Sequence, residues 1–145
     1  MRTELFAYLP DGAKKIRDAV FVLEQGFENE YDETDLEATH ILLFDDGGTP
    51  VGTCRIFVDE GLESHVLGRL AVLKEHRGKG FGTELVRAAI KFVSECGGKV
   101  LSLHAQCRSK SFYEKLGFSE FGDIEYDEGC PHIKMKKEII KNGEG

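Results

Sequence analysis

Between Val66 and Cys96 the chain passes from an apolar run ending near Leu73, through the basic glycine-rich turn Arg77-Gly78-Lys79-Gly80-Phe81-Gly82-Thr83, into a stretch with helical periodicity. There Leu85, Val86, Ala89, Ile90 and Val93 recur on one helical face, so the order is strand, turn, helix. Glycines in the turn let the backbone approach a ligand closely, and the first N–H groups of the helix lack intrahelical acceptors. The helix dipole favours an anion at that end, and Arg77 and Lys79 add positive charge there, so the turn suits a phosphate. Spacing excludes two kinds of phosphate site. A Walker loop needs a glycine, four residues and Gly-Lys-Ser/Thr, and a dinucleotide fingerprint needs Gly-x-Gly-x-x-Gly followed by a distant acid. Glycines at 78, 80 and 82, with Lys79 between two of them, fit neither.

A chain of 145 residues predicts one domain with a single substantial core. A net charge of −7 argues against nucleic acid as a main partner, which demands a basic face. No apolar run approaches the roughly 20 residues of a membrane span, and the opening Met-Arg-Thr-Glu-Leu-Phe lacks a signal-peptide core, so the expectation is a cytoplasmic protein that does not engage membranes. Cys54, Cys96, Cys107 and Cys130 are well separated and read as reduced thiols. His104-x-x-Cys107 and Cys130-x-His132 offer four zinc-type ligands, but the Cys-x-His spacing is poor for a structural site, and the expectation is no metal.

Thr3 to Leu9 reads as a first strand closed by Pro10-Asp11-Gly12. Ala13 to Gln25 reads as an amphipathic helix presenting Ile16, Ala19, Val20 and Leu23, stopped at Gly26. From Glu24 to Glu37 half the residues are acidic: Glu24, Glu28, Glu30, Asp32, Glu33, Asp35 and Glu37. They predict a solvated loop and short helix, or else a rim that attracts a cationic amine. His40 to Phe44 and Val51 to Val58 form a hairpin over Asp45 to Pro50, and the turn Gly61 to Ser64 extends it into a meander with the central strand. Gly97-Gly98 ends the central helix. Val100 to His104 is then a buried strand, joined to the central strand through that helix and so parallel to it. Ser109 to Leu116 is a short helix ended by Gly117. Phe118 to Ile124 and His132 to Ile140 are the last strands, bridged by Glu125 to Pro131, and 141–145 reads as a frayed tail.

Arg-x-x-Gly-x-Gly, as Arg77, Gly80 and Gly82 directly after a strand, resembles the pyrophosphate motif of the GNAT N-acetyltransferases. Ser111-Phe112-Tyr113-Glu114-Lys115-Leu116-Gly117-Phe118 resembles the helix-to-strand segment after the fifth strand of the same family. The two occur in family order on the expected elements. The resemblance implies an α+β, α/β/α layered fold: a mixed, mostly antiparallel sheet of six or seven strands, a splayed parallel central pair and about four helices. Gly129-Cys130-Pro131-His132-Ile133-Lys134-Met135, with Phe21-Val22-Leu23-Glu24-Gln25 and Thr39-His40, is similar to a narrower branch that includes the glyphosate acetyltransferases.

What the resemblance implies about the site follows residue by residue. Acetyl-CoA would be the co-substrate, its diphosphate held by Arg77, Gly78, Lys79, Gly80, Phe81, Gly82 and Thr83, and its pantetheine arm laid along Leu70, Ala71 and Val72. The Val72 N–H is a donor to the thioester oxygen, where charge grows as the amine attacks. Tyr113 is the acid for the leaving thiolate. His132 is the base, since imidazole titrates near neutrality, and Glu24 acting through water is its substitute. Arg55, Arg69 and Arg108 flank the cleft and could pair with a substrate carboxylate or phosphate, or with the acidic loop. His104 stands where relatives commonly carry an asparagine that bonds the pantetheine. The expected function is acetyl transfer to a primary amine of a small molecule in a ternary complex. The alternatives are a non-catalytic acyl-CoA sensor and a peptide or protein acetyltransferase. A homodimer is left open.

Overall fold

The computed structural model describes residues 1–140; the expected tail at 141–145 lies outside the described residues. Seven strands form one mixed sheet in the order β1-β2-β3-β4-β5-β7-β6. They are β1 (Arg2–Phe6), β2 (Thr39–Phe44), β3 (Pro50–Asp59), β4 (Ser64–Val72), β5 (Val100–Gln106), β6 (Ser119–Asp127) and β7 (Cys130–Glu138). The helices are α1 (Asp11–Arg17), α2 (Thr34–Glu37), α3 (Phe81–Glu95) and α4 (Lys110–Lys115). β1 with β2, β2 with β3, β5 with β7 and β6 with β7 pair antiparallel, and β4 with β5 parallel. The α+β class expected from the resemblance is realised, with the larger of the two strand numbers.

The chain divides into two compact units, Met1–Phe57 with Gly68–Ala89, and Val58–Leu67 with the residues from Ile90 onward. In the first, Ala13, Ile16, Val20 and Phe21 pack with Leu42 and Ala71, and Leu9, Phe27, Phe44 and Leu73 flank them. In the second, Leu101, Leu103, Ala105, Ile133 and Met135 are buried along one face of β5 and β7, where Leu103 opposes Met135 and Ala105 opposes Ile133. Of the predicted apolar stripe of α3, Leu85, Val86, Ala89 and Val93 are fully buried and Ile90 is partly buried.

The helix expected from Ala13 to Gln25 is α1 followed by a π-helical segment, Asp18–Glu24. Its bonds span five residues: the Gln25 N–H reaches the Val20 carbonyl at 3.1 Å. The wider turn alters the register. Leu23, expected beside Ile16 and Val20, is 81% exposed, and Phe21 is buried in its place. The bridge expected from Glu125 to Pro131 is a two-residue hairpin turn, because Glu128 and Gly129 have φ of 49° and 79°, the left-handed pair that tight hairpins require. Both flanking strands therefore run closer to the turn than their apolar patterning indicates.

Candidate active site

β4 carries an irregularity where the site is expected. Its parallel ladder with β5 pairs His65 with Leu101, Val66 with Ser102 and Leu67 with Leu103, while β4 itself continues to Val72. Just past the ladder, Arg69 has φ of 51°, a left-handed conformation that costs a non-glycine residue roughly 1–3 kcal/mol and needs outside support. The Arg69 side chain supplies it. Its Nε and Nη2 donate to the Glu30 carbonyl at 3.1 and 3.0 Å, and it pairs with the Glu30 and Asp32 carboxylates at 3.2 and 3.4 Å. Of the residues expected to receive the pantetheine arm, Ala71 is buried, and Leu70 and Val72 are partly exposed.

The glycine turn follows. Gly78 and Gly80 have φ of 78° and 83°, and a Cβ on either would meet nothing within 4 Å. An α3 of 15 residues begins at Phe81, and its first backbone bond runs from the Glu84 N–H to the Gly80 carbonyl at 3.1 Å. The N–H groups of Phe81, Gly82 and Thr83 therefore open the helix in the way an anion site needs. Arg77 is engaged already: Nε donates to the Val72 carbonyl at 3.0 Å, and Nη1 and Nη2 grip the Glu24 carboxylate at 2.7 and 2.8 Å. Glu24, the substitute base, is thus the partner of a residue expected to hold the diphosphate.

Arg55 and Arg69 belong to a network of three guanidinium and three carboxylate groups. Arg17, 1% exposed, donates to Glu30 Oε2 at 2.7 Å and to Asp35 Oδ1 at 2.7 Å. Arg55, 5% exposed, donates to Asp32 at 2.7 Å and to Asp35 at 2.9 Å. The acidic stretch carries the expected short helix and exposed Glu24, Glu28, Asp32, Glu33 and Glu37, but Glu30 and Asp35 depart from the solvated reading. Glu30 and Asp35 are buried, and with the exposed Asp32 they neutralise arginines, so these three do not form a rim for a cationic amine. Of the seven acids between Glu24 and Glu37, four are paired with arginine. Arg17 was not foreseen, although a lone arginine on the apolar face of a helix, followed by an acid-rich stretch, is a readable signal. Burial alone would raise the Asp35 carboxyl, but hydrogen bonds from Arg17 and Arg55 outweigh it and hold the group at about 2. The folded value lies below the ordinary 3.8, so the stability this carboxylate contributes is whole above that value and drains as pH falls from there toward 2. The urea midpoint of the wild type should drop steeply across that window, and Asp35→Asn should start lower and fall less; equal slopes would refute the assignment.

Tyr113 and His132 lie in the second unit. Tyr113, on α4, is 8% exposed and edge-on to Phe112 and Phe118, with ring centroids at 5.0 and 5.9 Å. His132 is partly buried on β7, opposite Gln106 of β5 and Glu125 of β6. Its Nδ1 is 2.9 Å from the Cys130 carbonyl. A carbonyl only accepts, so Nδ1 carries the hydrogen and Nε2 of the neutral ring keeps its lone pair. His104 and Gln106 share a face of β5 opposite Lys134 and His132, giving His132 polar neighbours that sequence spacing does not reveal. Burial, with Lys134 and His132 nearby, lowers the His104 imidazole below its ordinary value. Arg108, on the turn Cys107–Ser109, is exposed and donates to Gln106 Oε1 at 2.7 Å. Among the described residues no three His, Cys, Asp or Glu side chains are gathered as a metal would require, which removes the His104, Cys107, Cys130 and His132 quartet as one site. No helix among the described residues is long and apolar enough to cross a membrane.

A central strand with a left-handed residue past its short parallel ladder thus leads through an open glycine turn into a helix N-terminus, a combination suited to an extended anionic ligand. The GNAT acetyltransferase domain model matches residues 8–139, and the chain belongs to that family. The uncharacterized N-acetyltransferase YjcF of Bacillus subtilis is 36% identical over 126 residues, spanning 85% of this chain and 88% of YjcF. The solved structure of Escherichia coli ElaA is 28% identical, with a TM-score of 0.82 over 94% of this chain and 99% of ElaA. An aminoglycoside 6'-N-acetyltransferase solved with coenzyme A shares the fold at 20% identity, with a TM-score of 0.73 over 98% of this chain and 99% of that one.

Proposed function

We propose that the protein transfers the acetyl group of acetyl-CoA to a primary amine of a small molecule by direct attack. The observation that carries this is the left-handed Arg69 in β4 followed by the open Gly78–Gly80 turn at the start of α3. The first N–H groups of α3 follow that turn directly, a place suited to the anionic diphosphate of acetyl-CoA. The pantetheine arm runs along Leu70, Ala71 and Val72, and the diphosphate lies against the turn that runs from Arg77 to Thr83. The amine nitrogen bonds to the thioester carbon, and the carbon–sulfur bond breaks. Developing charge on the oxygen is met by the Val72 N–H, a fixed dipole that needs no reorganisation. The departing thiolate takes the Tyr113 proton, and the surplus proton of the amine passes to His132 Nε2, which returns it through solvent to the tyrosinate.

His132 is favoured over Glu24 because its Nδ1 bond to Cys130 leaves Nε2 ready to accept, whereas the Glu24 carboxylate is held on Arg77. Pro131-His132-x-x-Met135, with its likeness to the glyphosate acetyltransferase branch, points the same way. A small amine is favoured over a basic peptide because arginines of the chain itself take up four acids of the stretch that would receive it. Arg69, 26% exposed on its side chain, and Arg108 remain candidates for a substrate anion, while Arg55 is buried in its ion pairs.

A thiol-release assay over an amine panel tests the reading. Wild type should turn over at least one small amine. His132→Ala should lower kcat/KM by about 100-fold and remove the pH–rate inflection that the general base produces, while Glu24→Gln should keep that inflection. Coenzyme A binding with no turnover of any amine would instead establish a sensor. An inflection that survives His132→Ala would transfer the base role to Glu24.

A further inference from the structure

We propose that Arg77 is a positioning residue rather than a diphosphate ligand: pinned by Glu24, it is a strut that orients the peptide at the end of β4, and Lys79 with the backbone amides grips the diphosphate. This deepens the reading above and rests on it for its link to catalysis. All three guanidinium nitrogens of Arg77 have acceptors: the Val72 carbonyl on Nε at 3.0 Å and the two Glu24 oxygens on Nη1 and Nη2 at 2.7 and 2.8 Å. A diphosphate reaching this side chain meets a neutralised pair with a carboxylate already in the bidentate position that a phosphate would occupy. Lys79, two residues on, is exposed and has no ion pair among the described residues. Gly78 and Gly80 beside it face open space.

The other end of the strut falls on the peptide that matters most. The carbonyl of Val72 and the N–H of Leu73 belong to one peptide unit. Arg77 holds the carbonyl, and the Val51 carbonyl holds the N–H at 2.9 Å. Anchoring this plane at both polar atoms fixes the conformation of Val72, and with it the direction of the Val72 N–H toward the thioester oxygen. A donor to an oxyanion works through geometry, and small displacements are costly. Glu24 takes part by keeping the guanidinium in the one orientation that presents Nε to the strand. It lies on the π-helical segment, 53 residues from Arg77 in the chain, so this contact ties that segment to the end of β4.

The experiment uses the full chain with Glu24→Gln, Arg77→Gln, the double variant and Lys79→Gln. Calorimetry with coenzyme A, steady-state thiol release, and the backbone amide resonance of Leu73 in the free protein are the readouts. Arg77→Gln and Glu24→Gln should each lower kcat about tenfold while the Kd for coenzyme A changes less than about threefold, and the double variant should be no worse than Arg77→Gln. Lys79→Gln should raise that Kd about tenfold. The Leu73 amide should shift in Arg77→Gln and Glu24→Gln and stay in place in Lys79→Gln. Tighter coenzyme binding in Glu24→Gln would overturn the proposal and make Glu24 a shutter over a phosphate-binding arginine. A larger loss of affinity in Arg77→Gln than in Lys79→Gln, or an unmoved Leu73 amide, would overturn it as well. Should the wild type fail to bind coenzyme A, the proposed reaction falls, and the Leu73 amide alone decides for or against the strut.

Discussion

Arg17→Ala is expected to destabilise the protein by about 3–5 kcal/mol, because it leaves the buried carboxylates of Glu30 and Asp35 short of their nearest cation. For a chain of 145 residues this corresponds to a fall in Tm of roughly 10 °C, and to a matching shift of the urea midpoint with little change in slope. Arg17→Lys should recover less than half of the loss. A single ammonium cannot reproduce the fork in which Nε serves Glu30 and Nη1 and Nη2 serve Asp35. The variant also removes the guanidinium stacked over Tyr31 at 4.7 Å. The effect should reach the site. Glu30 and Asp32 also pair with the left-handed Arg69, so loosening Glu30 relaxes β4 at that residue. An Arg17→Ala protein within 1 kcal/mol of wild type would mean that hydrophobic contacts alone hold the segment before β2.

Tyr113→Phe should lower kcat about 100-fold and leave the Kd for coenzyme A within about twofold. The ring packs edge-on between Phe112 and Phe118, and phenylalanine keeps both contacts. The hydroxyl is the proposed acid for a thiolate whose parent thiol titrates near 8.5, so its loss removes proton transfer to the sulfur. The loss should shrink with a thioester donor whose thiol is more acidic, since a better leaving group needs less help. Unchanged turnover, or a matched loss of coenzyme affinity, would strip Tyr113 of that role.

Much of the fold was legible because helices and strands are set by neighbours a few positions apart. The α3 stripe from Leu85 to Val93 reads directly as a helix, with Leu85, Val86, Ala89 and Val93 in the core and Ile90 partly buried. The order β2-β3-β4 follows from two turns, and the parallel β4–β5 pair follows from the helix between those strands. Where local rules failed, a specific geometry had intervened. Leu23 left the apolar face because a π-helical segment replaced the regular helix after Arg17. The β6–β7 turn shrank to two residues because Glu128 adopts a left-handed conformation that glutamate seldom takes.

The candidate site was legible as a set of residues and not as a set of contacts. Arg77, Lys79, Tyr113 and His132 stand out by type and spacing. Nothing in their spacing shows that Arg77 is held by Glu24, that His132 fixes its tautomer on the Cys130 carbonyl, or that Arg55 spends its charge on Asp32 and Asp35. The sequence by itself determined the glycine turn, the helix it opens and the family motifs, since backbone freedom and helical periodicity act within a turn or two of chain. Only the tertiary structure decided which charges cancel. Arg17 meets Glu30 and Asp35 across 13 and 18 residues, and Arg77 meets Glu24 across 53. The energy of an ion pair depends on separation and burial in space, and chain distance encodes neither.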